Sequence, residues 1–252
     1  MAIPQLLVSV RSPEEAVRAV TGGAGILDVK EPAAGPLGMA TFDAIRRISH
    51  ALAGLPEQPP LSLALGELRD WFSSASVSAA TADNARQALH DLLRELPAVR
   101  FLKCGLAGCR EFGDWQAVWA EFRSVAGPQV AWVAVAYADA ERAASPDVRQ
   151  VLSAAIAAGA RVVLIDTFIK DHTRLLDWLP PDQLREVGVI CRQSGLLLAL
   201  AGQVTAADFP LLQQVGADVI AVRGAACAGA DRMQAISEQR VRELVGALRA
   251  LG

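Results

Sequence analysis

Short, uninterrupted apolar runs alternate along the chain with stretches of helical periodicity. The runs are rich in Val, Ile, Leu and Ala and mostly lack polar alternation, which is typical of parallel strands buried on both faces. Their ends carry Gly, Asp or Lys. Eight runs of this kind predict eight strands, namely Leu6–Val10, Gly25–Lys30, Leu61–Gly66, Phe101–Leu106, Val130–Asp139, Val162–Thr167, Leu196–Gly202 and Val219–Ala225.

The stretches between the runs carry apolar residues three and four positions apart, the spacing of an amphipathic helix. In the first of them, Ser12 is the predicted N-cap and Pro13 occupies the first helical position. A glycine that ends a helix and precedes a buried run recurs at Gly23, Gly159 and Gly216, which indicates a weak internal repeat. The predicted helices include Pro13–Val20, Ala82–Leu96, Trp115–Ala126, Asp147–Ala158 and Glu238–Leu251.

Eight strands alternating with helices fit either a closed barrel or an open doubly wound sheet. An open sheet usually has a Gly-rich phosphate loop after its first strand, whereas here Arg11, Ser12 and Pro13 follow. The 252 residues match the usual size of a closed barrel, and no linker or break in composition divides them. We therefore predict an α/β protein with a single (β/α)8 TIM-barrel domain over residues 1–252.

Composition and charge exclude several classes of protein. A chain that is 52% hydrophobic and 20% charged has ample material for a core, and this excludes disorder. The net charge of −3 argues against a nucleic-acid partner, and no apolar run is long enough to span a membrane. The amino terminus lacks the cationic region of a secretory signal, and the four scattered cysteines predict no disulfide framework. We expect a cytoplasmic protein, and the apolar outer helices predict a homo-oligomer.

Lysine is scarce in this chain: only Lys30, Lys103 and Lys170 stand among 24 basic residues. An ε-amine can lose its proton near neutral pH and form an imine with a carbonyl, neither of which a guanidinium can do. All three lysines lie at or just beyond the carboxyl ends of predicted strands, where TIM barrels carry their chemistry. The sequence therefore favours a lysine-dependent reaction over structural ion pairs, the alternative use of such residues.

The even-numbered strands carry most of the polar residues at their ends. Because alternate strands share layers in a barrel, we expect these side chains to converge on one mouth. They are Asp28 and Lys30 on the second strand, Lys103 on the fourth, Asp166 and then Lys170 on the sixth, and Arg223 followed by Gly224 and Ala225 on the eighth.

This arrangement predicts a division of labour. Lys30 and Lys103 are close enough for each ammonium to lower the pKa of the other, helped by partial burial. Lys170, with Gly202 after the seventh strand and the Arg223–Ala226 loop after the eighth, is predicted to hold phosphate, which often binds on that side of a barrel. Tyr137 and Asp139 end the fifth strand on a common side, and either packing or a proton-relay role is open for them.

Several motifs resemble those of (5-formylfuran-3-yl)methyl phosphate synthase of methanofuran biosynthesis, most closely its bacterial form. The resemblance runs in order along the full chain, and the pattern DVK-x-P-x-x-G-x-LG and the stretch DT-x-IKD are its most specific parts. The motifs are LLVSV, ILDVKEPAAGPLG at 26–38, FLKCGL at 101–106, AYADAER at 136–142, LIDTFIKD at 164–171, LALAG at 198–202 and VRGAAC with the following Asp231 and Arg232.

The resemblance implies a class I aldolase-like enzyme that needs no metal or cofactor. It would join two molecules of glyceraldehyde 3-phosphate into a furan aldehyde phosphate, with loss of one phosphate and two waters. By match of motif, Lys30 corresponds to the Schiff-base lysine and Lys103 to the proton acceptor. Asp28, Asp166 and Lys170 match further active-site positions. Another Schiff-base aldolase acting on a sugar phosphate and a non-catalytic phosphate-binding barrel are the alternatives.

Overall fold

Eight parallel strands close into a barrel in the computed structural model, which describes residues 2–71 and 79–252. Each strand pairs with its sequence neighbours, and β8 pairs with β1 to complete the ring. The strands are β1 Gln5–Val10, β2 Ile26–Val29, β3 Leu61–Glu67, β4 Val99–Gly105, β5 Ala131–Tyr137, β6 Val162–Asp166, β7 Leu197–Leu200 and β8 Val219–Val222. The predicted (β/α)8 barrel is thus confirmed, with all eight strands at the predicted places.

Helices surround the barrel, and the five predicted helical stretches all occur. Trp115–Ala126 is divided, because its helix ends at Arg123 and a 3-10 turn follows. The helices are α1 Pro13–Thr21, α2 Phe42–Ala53, α3 Ala79–Glu95, α4 Trp115–Arg123, α5 Val148–Ala157, α6 Leu175–Trp178, α7 Pro181–Gln193, α8 Phe209–Gln214 and α9 Glu238–Arg249. The sequence analysis did not name α2, α6, α7 or α8.

Local signals in the sequence fix several element ends. The Ser12 side chain accepts a hydrogen bond from the Glu15 N–H at 3.3 Å, so it caps α1 as predicted, and Pro13 occupies the first turn. Gly23, Gly159 and Gly216 all have positive φ between a helix and the next strand. A side chain at such a φ is strained, which explains why glycine recurs at these helix–strand junctions.

Apolar side chains fill both faces of the barrel wall. The larger cluster lies between the strands and the helices, and the smaller one fills the barrel interior. Interior residues alternate along each strand, as in Val133, Val135 and Tyr137 on β5. The same alternation continues from Ile26 to Asp28 on β2 and from Leu164 to Asp166 on β6, so the polar residues stand above a packed interior.

Cysteine and membrane features agree with the sequence analysis. Cys104, Cys109, Cys191 and Cys227 are all buried free thiols. Across residues 2–71 and 79–252, no helix has both the length and the apolar character needed to cross a bilayer.

Candidate active site

A cavity of about 490 Å³ opens at the carboxyl ends of the strands. Its floor is formed by side chains from β1, β2, β4 and β6, and its rim by the loops after β6, β7 and β8. The residues predicted to be catalytic and those predicted to bind phosphate all line this cavity. They are Asp28, Lys30, Lys103, Asp166, Lys170, Gly202, Arg223, Gly224 and Ala225. The structure therefore brings together in one site residues that are far apart in the sequence.

The first buried ion pair joins β4 to β2. Lys103 Nζ lies 2.7 Å from Asp28 Oδ1, and both side chains are at most 4% exposed. Ser9 Oγ donates a hydrogen bond to Asp28 Oδ2 at 3.0 Å, because Ser9 pairs with Asp28 in the β1–β2 register. Burial acts to raise the pKa of Asp28, but the ammonium groups of Lys103 and Lys30 outweigh it and leave this pKa below its ordinary value. Asp28 is therefore an anion at neutral pH.

A second ion pair stands at the end of β6. Lys170 Nζ lies 2.6 Å from Asp166 Oδ1 and also donates to Thr167 Oγ1 at 3.2 Å. The Thr167 N–H donates to the same Asp166 oxygen at 2.8 Å. Burial acts to raise the pKa of Asp166, but the ammonium groups of Lys170 and Lys30 outweigh this effect, so the net shift is downward. The carboxylate is ionised and holds Lys170 over the cavity.

Lys30 differs from the other two lysines because its hydrogen bond goes to a neutral group. Its Nζ donates to the Pro36 carbonyl at 3.0 Å, and the residue is 8% exposed. Burial lowers the pKa of Lys30 to about 8, although Asp28 and Asp166 act in the opposite direction. Lys103 and Lys170 lower it further as smaller contributions. The sequence predicted that a neighbouring ammonium and partial burial act together on this pKa, and burial is the larger of the two causes.

The loop after β2 encloses Lys30. The Glu31 N–H donates to the Gly38 carbonyl at 2.8 Å, which closes the loop on itself. A Cβ atom at Gly38 would lie 2.2 Å from the Glu31 carbonyl oxygen, so this close approach requires glycine. The Leu37 carbonyl accepts from the Gly66 N–H at the end of β3. The motif DVK-x-P-x-x-G-x-LG thus encodes the loop that supplies the acceptor for Lys30.

The predicted phosphate-binding residues divide into two groups. The backbone N–H groups of Gly202, Gly224 and Ala225 are not taken up by any hydrogen bond within the described part of the chain. Arg223, in contrast, directs its guanidinium to Glu15 of α1: Nη1 lies 2.9 Å from Glu15 Oε2, and both side chains are 4% exposed. It also donates to the Ser9 and Arg232 carbonyls at 2.9 and 2.7 Å.

Further residues line the cavity that were not predicted from the sequence, among them Ser9, His172, Arg174 and Arg232. Ser9 and Arg232 belong to two of the motifs quoted above, LLVSV and the pair that follows VRGAAC. Their positions in those motifs are the only sequence signal for these two residues. Arg232 follows the end of β8, so strand alternation makes no prediction for its side chain. Arg174 is partly engaged, since its Nη2 binds Asp208.

Tyr137 and Asp139 have structural partners beside the main cavity. The Tyr137 hydroxyl donates to Glu67 Oε1 at 2.6 Å, and the Ala107 N–H donates to Glu67 Oε2 at 2.8 Å. Asp139 accepts from the N–H groups of Phe168 and Ile169 at 2.6 and 3.0 Å. The predicted strand Val130–Asp139 ends at Tyr137 instead, and Asp139 fixes the loop between Asp166 and Lys170.

Comparison with solved structures identifies the fold. A copper homeostasis protein CutC from Streptococcus agalactiae covers 86% of this chain and 97% of its own, with a TM-score of 0.62 and 9% identity. Phosphoribosyl anthranilate isomerase from Thermus thermophilus covers 98% of this chain and 100% of its own, with a TM-score of 0.61 and 14% identity. The TM-scores establish a shared barrel fold. At identities this low, the likeness shows nothing about the reaction.

Comparison of sequences is more specific. The chain is 35% identical over 251 residues to (5-formylfuran-3-yl)methyl phosphate synthase from Methanopyrus kandleri, covering 97% of this chain and 99% of the relative. It is 35% identical over 242 residues to the enzyme of the same name from Methanothermobacter thermautotrophicus, covering 95% and 96%. A chain from Streptomyces griseus is 34% identical, so identity alone does not distinguish the expected bacterial form.

A family model described as 4-HFC-P synthase matches residues 6–245, which include every residue of the cavity described above. The match covers nearly the whole barrel, and it agrees with the resemblance found in the strand-end motifs. The chain is therefore an enzyme that belongs to the 4-HFC-P synthase family.

Proposed function

We propose that the enzyme condenses two molecules of glyceraldehyde 3-phosphate into (5-formylfuran-3-yl)methyl phosphate, with loss of one phosphate and two waters. The observation that carries this proposal is the environment of Lys30, a buried amine with a pKa of about 8 in a cavity that contains two further lysines. The names of the relatives from Methanopyrus and Methanothermobacter supply the identity of the product.

Lys30 begins the reaction as the nucleophile. With a pKa of about 8, about a tenth of the Lys30 side chains are neutral at pH 7, against a few in ten thousand for an ordinary lysine. The neutral amine attacks the aldehyde carbon, and loss of water gives an iminium ion. The iminium withdraws electrons from the neighbouring carbon and makes its C–H acidic.

Lys103 then accepts the proton from that carbon. Lys103 rests as the ammonium partner of Asp28, so it first gives a proton to the water that leaves as the iminium forms, and the neutral amine that results accepts the proton from carbon. The product of the transfer is again an ammonium group. Asp28, 2.7 Å from Lys103 Nζ and itself ionised, stabilises this ammonium in a site with little water. Asp28 or Asp166 assists the later proton movements during phosphate loss, carbon–carbon bond formation and ring dehydration.

One phosphate group binds on the side of β6 to β8. Lys170 supplies a positive charge, held in place by Asp166. The N–H groups of Gly202, Gly224 and Ala225 supply hydrogen-bond donors on the rim of the same cavity. Arg223 contributes by holding its loop against Glu15, which keeps Gly224 and Ala225 in place.

Incubation of the pure protein with glyceraldehyde 3-phosphate alone tests the proposal. We expect one inorganic phosphate released per furan aldehyde formed, the latter followed by its ultraviolet absorbance and by mass spectrometry. Borohydride added during the reaction is expected to attach a three-carbon phosphate adduct to Lys30.

Lys30→Arg is the matched control for the trapping experiment, because it keeps a positive charge but forms no imine. It is expected to lose turnover and the adduct while retaining the circular dichroism spectrum of the fold. An adduct without furan formation would favour another Schiff-base aldolase. No adduct at all, or one on a different lysine, would contradict the assignment of Lys30.

A further inference from the structure

Arg232 projects into the active-site cavity from the loop after β8. It is partly buried, and its Nη2 donates to the carbonyl oxygens of Pro32 and Gly35 at 3.3 and 3.4 Å. These acceptors belong to the loop after β2, close to Pro36, the residue that accepts the hydrogen bond from Lys30. Arg232 therefore contacts the loop that encloses Lys30, and it also stands beside Gly224, where a Cβ atom would lie 3.9 Å from that of Arg232.

The carboxylates that line the cavity floor are paired with lysines, and Arg232 feels the charge of Asp166 without forming an ion pair with it. Asp28 is matched by Lys103 and Asp166 by Lys170, at 2.7 and 2.6 Å. No ion pair joins Arg232 to a carboxylate in the part of the chain that the structure describes. Its sequence neighbour Asp231 is occupied, since it accepts hydrogen bonds from the Met233 N–H and from Gln234.

Two arginines, Arg223 and Arg11, bind the backbone of the loop that carries Arg232. Arg223 Nε donates to the Arg232 carbonyl at 2.7 Å, and Arg223 is itself paired with the buried Glu15. Arg11, which pairs with the same Glu15, donates to the Met233 carbonyl at 2.9 Å. Fixing the backbone in this way lowers the entropy that is lost when the guanidinium binds a ligand.

We propose that Arg232 binds the phosphate of the triose phosphate whose aldehyde reacts with Lys30. This inference rests on the function proposed above and adds a second phosphate subsite, which adjoins the one formed by Lys170, Gly202, Gly224 and Ala225 at Gly224 and extends toward the loop after β2. A guanidinium presents paired N–H groups that match two phosphate oxygens, and hydrogen bonds between charged partners are stronger than those to neutral carbonyls. The two long bonds to Pro32 and Gly35 are exchanged for the phosphate when substrate binds.

A reaction that joins two triose phosphates brings two phosphate groups into one mouth. Arg232 supplies the positive charge for the second of them. Lys30 donates to the carbonyl of Pro36, and Arg232 donates to the carbonyl of Gly35 in the same loop. A substrate whose phosphate binds Arg232 therefore has its aldehyde on the side of Lys30. Exchange of the bonds to Pro32 and Gly35 also loosens the contact that holds this loop, where Pro36 engages the Lys30 amine.

The test compares borohydride trapping on Lys30 by glyceraldehyde 3-phosphate and by glyceraldehyde, which has no phosphate. For each aldehyde, the concentration that gives half-maximal adduct is measured by mass spectrometry in the intact enzyme. Arg232→Met is expected to raise this concentration about 10- to 100-fold for glyceraldehyde 3-phosphate and less than about twofold for glyceraldehyde. Arg232→Lys keeps a charge without the paired geometry and is expected to fall between the two.

Arg149→Met is the matched control, because it removes an arginine from an exposed ion pair with Glu186 and lies outside the cavity. It is expected to leave both concentrations unchanged. Equal losses with both aldehydes in Arg232→Met would overturn the proposal and make Arg232 a support of the loop alone. An unchanged concentration for the phosphorylated aldehyde would also overturn it. Failure of the wild type to form any adduct would instead contradict the proposed function.

Discussion

Three lysines share one cavity, and their different contacts assign them different tasks at the scale of single residues. Lys103 and Lys170 each face a carboxylate within 2.7 Å, whereas Lys30 faces a carbonyl. A carboxylate stabilises the ammonium form, and a neutral acceptor in a buried place does so less. The lysine best suited to attack a carbonyl is therefore the one without its own carboxylate partner.

Lys103→Arg and Lys170→Arg are expected to differ in steady-state kinetics. An always-charged guanidinium cannot accept a proton, so Lys103→Arg should lower kcat by roughly 10²- to 10⁴-fold while the Lys30 adduct persists. Arg at position 170 can still bind phosphate, so Lys170→Arg should mainly raise KM. Both are measured against glyceraldehyde 3-phosphate. Equal losses of kcat with KM unchanged would instead give Lys170 a part in the chemistry.

Imine formation is expected to depend on pH through Lys30. Its reactive form is the neutral amine, so the trapping rate should rise about tenfold per pH unit below its pKa of about 8 and level off above it. Asp166 favours the ammonium of Lys30, so Asp166→Asn should move the midpoint to lower pH, by roughly one unit. Trapping rates from pH 6 to 10 measure this shift.

Asp171→Asn is the control for that shift. Asp171 lies in the same loop but pairs with Arg142 outside the cavity, at 2.6 Å. The midpoint of this variant is expected to equal that of the wild type. A midpoint that stays in place for Asp166→Asn would mean that Asp166 does not contribute to the pKa of Lys30.

The loops at the carboxyl ends of the strands form the site at the scale of elements, and buried polar contacts tie them together. Asp139 at the end of β5 holds the loop after β6, and Arg223 after β8 holds α1. Arg232 reaches from the loop after β8 to the loop after β2. Each contact joins segments far apart in sequence, so the geometry of the mouth depends on the closed barrel.

The Glu15–Arg223 pair is expected to stabilise the junction of α1 and β8. Glu15→Ala leaves a buried guanidinium without its carboxylate, which typically costs about 3–5 kcal/mol in the free energy of unfolding. Denaturant unfolding measures this loss. Glu186→Ala removes the partner of Arg149 in an exposed pair between α5 and α7, and it should cost at most about 1 kcal/mol. A similar small loss in Glu15→Ala would show that water reaches Arg223.

At the scale of the whole molecule, the closed barrel gathers the site residues around a common cavity. The state of assembly of the protein belongs to the same scale. The sequence analysis predicted a homo-oligomer, and large apolar side chains are exposed on α5 and α7, at Ile156 and Val189. We expect light scattering after size exclusion to give a molar mass at least twice the 26.6 kDa of the chain. A mass of one chain across micromolar concentrations would contradict this expectation.

The amino-acid sequence by itself determined the barrel and the positions of the three lysines at its mouth. Continuous apolar runs can be buried on both faces only in a parallel sheet covered by helices, so eight runs and the intervening helices specify the fold. Within a strand, side chains alternate strictly between the two faces. Asp28, Lys103 and Asp166 could therefore be assigned to one mouth before their contacts were known.

Only the tertiary structure decided how the arginines at the mouth use their guanidinium groups. Strand alternation predicts an inward Arg223, but β8 ends at Val222, and Arg223 has φ −131° and ψ −64°, outside strand geometry. Its guanidinium binds Glu15, 208 residues away in the sequence, although Arg223 lines the mouth together with Arg232. The low pKa of Lys30 is likewise a result of burial by a folded loop. Neither feature is encoded by local periodicity, because both depend on segments that meet only when the barrel closes.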